Sequence, residues 1–354
     1  MKQLLKFFAK SFLLVVICFG PLAAYNIIID RYVIFSKDLT GHKISPNQHY
    51  IKIDHLLKNK TRYDSYIFGS SKVGYMDMSH IPYGKWYNMS YSRGVPRDHL
   101  VDIKLMLKEG VTIKNILLGI DMLCYKVGPT DHWGTPLWKP YPEGLYDKLE
   151  FYLGYLFLKP KRWIDIHSSD TQFFDHYNTG RVIAVKLDAD FLKNPNVDPN
   201  EFRYKFAWVA EGHNEDIALK DISEIIELCK KNNIDLKIFI NPEHPVNYIG
   251  NGVDQFNKFK KRLVGLADYW DFSGIDSISK NNFYFYDTPH YRPVVGNMII
   301  SRIYGVKIQG LVIPDDFGFF VTPKNIDYRM TVLNQQLKTI DLKKYATPMK
   351  GFNF

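Results

Sequence analysis

The sequence predicts an α/β protein in three layers, a parallel sheet held between helices, preceded by one transmembrane helix. Three observations carry this. Apolar strand-like runs alternate with amphipathic helical runs from Ser65 to Tyr304. The runs themselves are nearly all apolar, as strands covered on both faces must be. The stretch Ser11–Ile29 holds no charged residue and, at about 19 residues, is long enough to cross a bilayer as a helix.

Lys2, Lys6 and Lys10 precede that stretch without an acidic neighbour, and Asp30 and Arg31 end it. Basic residues ahead of a span favour a cytoplasmic N-terminus, which puts the remainder outside. Pro21 and Asn26 weaken the far end without forbidding a span. Cleavage as a signal peptide is the rival reading. It is disfavoured because a cut after Ala23 or Ala24 leaves Pro21 or Leu22 where a small residue is preferred. The expected organisation is therefore an anchor over residues 1–30 and an extracytoplasmic domain over residues 31–354.

Within that domain, Ser65–Phe68 reads as a first strand ended by Gly69, and Lys85–Met89 as a second. Pro96 opens a helix through about Glu109, with Gly110 as its stop. Asn115–Ile120 is the third strand. From about residue 124 to 212 the pattern breaks into a segment rich in Trp, Tyr, Pro and His, with one helix expected near Leu145–Leu158. We read it as an insertion that forms part of a cap or groove, or simply extra scaffold. Trp133, Trp138 and Trp163 there could stack on sugars or serve as packing. Alternation resumes at Asn214, where Ala218, Ile222, Ile225, Ile226 and Cys229 share one helical face. A fourth strand (Asp235–Ile240), a helix (Val253–Leu266), a short strand (Tyr269–Phe272) and a helix opened by Pro293 follow. A polar helix is expected near Asn325–Leu337.

Composition narrows the function. The 354 residues carry 46 Lys+Arg against 37 Asp+Glu, a net charge of +9, and three Cys. So few cysteines exclude a disulfide-dense scaffold and any multi-Cys zinc module; Cys124 and Cys229 read as buried thiols. The basic residues are scattered and form no recognition motif, which argues against nucleic acid. No grouping has metal-ligand spacing and there is no Gly-rich phosphate loop, so neither metal nor cofactor is expected.

Parallel sheets bind ligands at the carboxyl ends of their strands. Gly69-Ser70-Ser71 directly follows the first strand, and Asp287-Thr288-Pro289-His290 lies in a loop before a late helix. A serine hydroxyl needs an adjacent base, and a histidine base needs a carboxylate to fix its tautomer. Asp and His three residues apart on one turn can supply both. Taken singly, Gly-Ser-Ser is also a common helix cap, and Asp-x-x-His a common surface pattern.

Taken together, YIFGSSKVG (Tyr66–Gly74), INPEHP (Ile240–Pro245) and FYDTPHYRPVVGN (Phe285–Asn297) resemble the blocks of the SGNH-hydrolase superfamily. The likeness is to its membrane-anchored, acyltransferase-like branch, such as the alginate O-acetylation proteins and the D-alanyl transfer protein of teichoic acid synthesis. It spans about residues 60–305. The resemblance implies Ser71 as nucleophile, His290 as base and Asp287 as its orienter. It also implies an oxyanion hole, for which Gly94 is offered one residue late and Asp121 stands where an Asn is expected. An ionised Asp cannot donate a hydrogen bond. The N–H groups of Ser71 and Gly94 are the backbone candidates, with Asn88 and Asn241 as side-chain donors. Lys72 and Arg292 could attract an anionic substrate, and Arg93, Arg97 and His244 could border the cleft. The implied activity is O-acyl transfer, foremost acetyl transfer, to a cell-surface glycan, with a multi-span membrane protein as acyl donor. An esterase with the same triad and a non-catalytic assembly or glycan-binding component are the alternatives.

Overall fold

The computed structural model describes residues 1–36, 46–162, 172–175, 177–197, 202–204 and 214–348; Trp163 lies outside them. In chain order the elements are α1 (Lys2–Ile29), α2 (Gln48–Lys58), β1 (Ser65–Phe68), β2 (Trp86–Asn88), α3 (Pro96–Lys108), β3 (Asn115–Ile120) and α4 (Leu123–Lys126). Then come α5 (Leu145–Leu156), β4 (Gln172–Asp175), β5 (Arg181–Ala184), α6 (Val185–Lys193), β6 (Arg203–Tyr204) and α7 (Glu215–Lys231). The chain continues through β7 (Asp235–Ile240), α8 (Pro245–Gly250), α9 (Val253–Leu263), β8 (Tyr269–Asp271) and α10 (Pro293–Tyr304). It closes with β9 (Phe319–Val321), α11 (Ile326–Lys338) and β10 (Thr347–Pro348).

These elements group into two compact units. One comprises Met1–Asp54 with His132–Phe173, the other His55–Asp131 with Phe174–Phe354. The segment read as a single insertion is thus shared between them.

In the first unit, α1 is the one helix among the described residues long and apolar enough to cross a membrane. Asp30 ends it in a left-handed conformation (φ 38°). Its carboxylate then accepts the N–H groups of Ile34 (2.7 Å) and Phe35 (2.9 Å), which turns the chain sharply. Asn26, which looked like a flaw in the span, donates to the carbonyls of Leu156 (2.8 Å) and Leu158 (3.0 Å). It joins the end of α5 to α1.

The second unit holds a six-stranded sheet in the order β2-β1-β3-β7-β8-β9. All its pairings are parallel except β8 with β9. The parallel α/β expectation is therefore met, and the first, third and fourth strands fall where the apolar runs placed them. The terminal antiparallel strand was not expected: β9 is only Phe-Phe-Val in a mixed tail, too short to show a period. The helix α2 was likewise missed.

The face of α7 predicted to be apolar is buried through Ala218, Ile222, Ile225, Ile226 and Cys229. Its polar flank docks on α3 through a forked Arg97–Asp221 pair (2.8–3.1 Å) and a Lys104–Glu224 pair (2.8 Å). Arg97 is thereby tied to helix packing. At the end of β8, Asp271 meets Arg329 (2.9 Å) and Lys260 (3.4 Å) in a fully enclosed cluster. Burial alone would raise the Asp271 carboxyl, but the two cations outweigh it and hold it at about 2. Cys124 and Cys229 are free, buried thiols.

Candidate active site

The site grows from the chain leaving β1. After Gly69, Ser71 opens a 3₁₀ turn, Ser71–Tyr75. Ser70 caps this turn by accepting from the N–H of Lys72 at 3.4 Å. The same hydroxyl donates to Asp121, just past the end of β3. From β2, the Asn88 amide holds the Val73 carbonyl at 2.8 Å. Three neighbouring strand ends thus fix the turn. Gly119 on β3 makes room for it: a Cβ there would lie 2.7 Å from Val73 and 2.8 Å from Phe239. Ser71 consequently sits at the carboxyl edge of the parallel strands, where such sheets place their ligands.

The second component is a tight loop closed by an antiparallel bridge between Phe285 and Tyr291 and by Tyr286 N–H to His290 O (2.9 Å). Asp287 accepts both the backbone N–H of His290 (2.8 Å) and its ring Nδ1 (2.8 and 2.9 Å to the two oxygens). The imidazole is therefore held at two points by one carboxylate. Its Nε2 lies 2.9 Å from Ser71 Oγ, across a sequence separation of 219 residues. With Nδ1–H directed at Asp287, Nε2 is the acceptor for the serine proton. The side chain of His290 is 25% exposed and that of Asp287 54%, so the relay is open to solvent on the carboxylate side.

A segment whose role the sequence left undefined braces both components. Arg181 on β5 pairs with Asp77, just after the serine turn. Val182 lies 3.6 Å from where a Cβ on Gly74 would stand. From α6, Asp188 meets Arg292 Nε at 3.1 Å. The guanidinium also donates to the Phe283 carbonyl (2.9 Å) and lies over the rings of Phe191 and Phe283.

Arg292 is 4% exposed and locked in those contacts, which corrects its reading as a substrate-facing cation: it clamps the histidine loop instead. Lys72 is also corrected. It is 2% exposed and ion-paired with Glu243, at the end of β7. Glu243 in turn accepts from the Asn247 amide. Glu243 was within a quoted motif but was not singled out; its place just after a strand end was the available signal.

The oxyanion candidates separate. Gly94 N–H is bonded to the Tyr91 carbonyl (3.0 Å), and a Cβ on Gly94 would fall 2.8 Å from the Gly69 carbonyl. Its glycine serves close packing, not donation. Asn88 bonds Val73 O and receives Ser90 N–H (2.9 Å). Asn241 donates to the Ile120 carbonyl (3.2 Å) and accepts from Tyr291 (2.9 Å). Both amides are buried in structural bonds. Asp121 is an acceptor twice over, from Ser70 and from Leu123 N–H (2.8 Å), as its chemistry required. Ser71 N–H, at the start of its turn, has no hydrogen-bond partner among the described residues. An unpaired N–H at the start of a turn is the kind of group that can donate to an anionic oxygen.

His244 belongs to the core. Its Nε2 meets Asn282 at 2.9 Å, and its ring stacks on Phe202. Burial disfavours its charged form and lowers its pKa from 6.5 to about 4. This has a sign that can be tested. The unfolded chain binds a proton there at a higher pH than the folded chain. The contribution is therefore complete above pH 6.5 and is lost as pH falls towards 4. In urea titrations across that window, His244→Gln is expected to flatten the slope of stability against pH. An unchanged slope would refute the assignment.

Set against known proteins, the chain matches no protein-family model, and no curated protein matches it.

Proposed function

We propose that this chain is a membrane-anchored serine acyltransferase of the SGNH type. In this reading it moves an acyl group, foremost acetyl, onto a hydroxyl of a cell-surface polysaccharide or related glycan. The observation that carries the reading is the relay Ser71 Oγ–His290 Nε2 (2.9 Å) and His290 Nδ1–Asp287 (2.8 Å) at the carboxyl edge of a parallel sheet. The block order noted in the sequence adds support, as does the terminal apolar helix. The full SGNH layering, helices on both faces of the sheet, is part of the proposal.

The chemistry follows from these groups. Ser71 Oγ attacks the acyl carbonyl and passes its proton to His290 Nε2. The carbonyl oxygen becomes an oxyanion facing Ser71 N–H. Collapse expels the donor's leaving group, which takes the proton from His290, and leaves an ester on Ser71. An acceptor hydroxyl then gives its proton to His290, attacks that ester and releases Ser71, which recovers the proton. Asp287 holds the ring and steadies the imidazolium formed twice in the cycle.

Anchoring through α1, with the N-terminus cytoplasmic, would keep the serine beside a membrane-borne donor and raise its effective concentration. A multi-span acyl-donor protein is the partner this implies. The test is intact mass of the full chain after incubation with an activated acetyl ester. One acetyl adduct, absent in Ser71→Ala, is the expected result. Decay of the adduct only when a glycan is added marks a transferase; decay in buffer alone marks an esterase. A folded chain that forms no adduct refutes the triad and favours an assembly or glycan-binding role.

A further inference from the structure

The helix α5 presents two apolar faces. One, formed by Phe151 and Tyr155, is buried within its own unit. The other carries Tyr146, Leu149, Leu153 and Phe157 at spacings of three, four and four residues, which is one stripe of a helix. That stripe is bare: Tyr146 is 76% exposed and Leu149 57% exposed, with Leu145 beside them at 87%. Asp147, Glu150 and Gly154 lie to one side of it. A helix of this length gains nothing from water contact along such a stripe, and contiguous exposed apolar patches mark interaction sites.

What covers it is indicated by where the helix is tied. Its C-terminal carbonyls, Leu156 and Leu158, accept the Asn26 amide of α1. The Phe157 ring meets that of Phe19, 5.9 Å away and edge-on. Phe19 itself is 53% exposed, among the bare residues of the apolar α1. The α5 stripe therefore meets the exposed apolar surface of α1 where Phe157 touches Phe19. Phe19 lies ten residues before the end of α1, on the order of 15 Å along its axis at 1.5 Å per residue. That depth is inside the hydrocarbon of a bilayer that α1 crosses. Lys159 and Lys161, which follow α5, are of the sign that anionic headgroups attract.

We propose that α5 is a second membrane element: an interfacial helix whose Tyr146–Leu149–Leu153–Phe157 stripe enters the leaflet at the C-terminal end of α1. This rests on the reading of α1 as a membrane span. It would hold the first unit at a fixed height over the lipid, where a single span alone would leave it free to swivel.

The experiment is collision-accessibility EPR on the full chain in anionic-lipid nanodiscs. A nitroxide is placed on Leu149→Cys in a Cys18→Ser background, the other two thiols being buried. A second sample labels the natural Cys18. The expected result is that oxygen collides more often than a water-soluble nickel chelate at both positions, with the same preference at Tyr146→Cys. Nickel access at position 149 with oxygen preference at Cys18 would overturn the proposal and leave the α1 span standing. Low access to both reagents at 149 would also overturn it, in favour of a second protein copy on the stripe. Nickel access at Cys18 would overturn the span and the proposal together.

Discussion

Replacing His290 by alanine is expected to slow acylation of Ser71 by about 10⁶-fold, and replacing Asp287 by about 10⁴-fold, the ranges seen when one member of such a relay is removed. The inequality follows from the geometry. His290 Nε2 is the group 2.9 Å from Ser71 Oγ, so its removal takes away the proton acceptor itself. Asp287 acts one step away, through Nδ1 and the backbone N–H of His290. Without it the ring keeps its bridge-closed loop, held by Phe285–Tyr291 and by Arg292, but loses the tautomer that leaves Nε2 unprotonated. Single-turnover acylation by an activated ester, read as the rate of adduct formation, measures both. Equal losses at Asp287 and His290 would mean that Asp287 builds the loop and does not merely orient the ring; a circular-dichroism spectrum identical to wild type is the accompanying check. Near-wild-type rates in either variant would remove the relay from the chemistry.

The largest expected effect on stability lies beside the nucleophile. Lys72 and Glu243 form an ion pair whose side chains are 3% and 0% exposed. Removing one partner of such a pair leaves an uncompensated buried charge and typically costs about 3–5 kcal/mol. Glu243→Ala is therefore expected to lower the denaturant midpoint strongly. It also strips a favourable neighbour from Lys126, whose pKa burial already lowers and which Glu243 supports. The double variant Lys72→Met/Glu243→Leu removes both charges and is expected to recover most of that loss, because apolar groups of similar volume need no compensation. It carries a second reading. If Lys72 only supports the turn, the double variant acylates at the wild-type rate; a large loss of rate in a stably folded double variant would give Lys72 a role with the substrate. A Glu243→Ala midpoint equal to wild type would refute the buried-pair argument.

Much of this was legible locally. Strands β1, β3 and β7 announced themselves as apolar runs, and α3, α7 and α10 by period, opening proline or charge placement, because burial on a sheet or a helix face imposes a spacing that any single segment must carry. The Asp287–His290 contact was legible for the same reason: three residues on one turn are neighbours whatever surrounds them. Short elements were not. β9 has three residues, below the length at which a period exists; α6 does carry a helical period, but over only nine residues inside a segment read as irregular, and it was passed over.

The sequence by itself determined the α/β class, the apolar N-terminal helix, and which residue types stood at strand ends. Only the tertiary structure decided which of them meet. Ser71 reaches His290 across 219 residues because the strand order sets β1 among β2, β3 and β7 and returns the late loop to the same edge. It also decided which charges face inward. Lys72 and Arg292 read as free cations until Glu243, Asp188 and two phenylalanine rings were brought against them. Both α1 and α5 were expected as helices, but their joint surface exists only where Asn26 ties one to the other. The physical reason is common to all three. Periodicity is a property of one segment, whereas desolvation, ion pairing and proton relay are properties of what the fold places within a few ångströms.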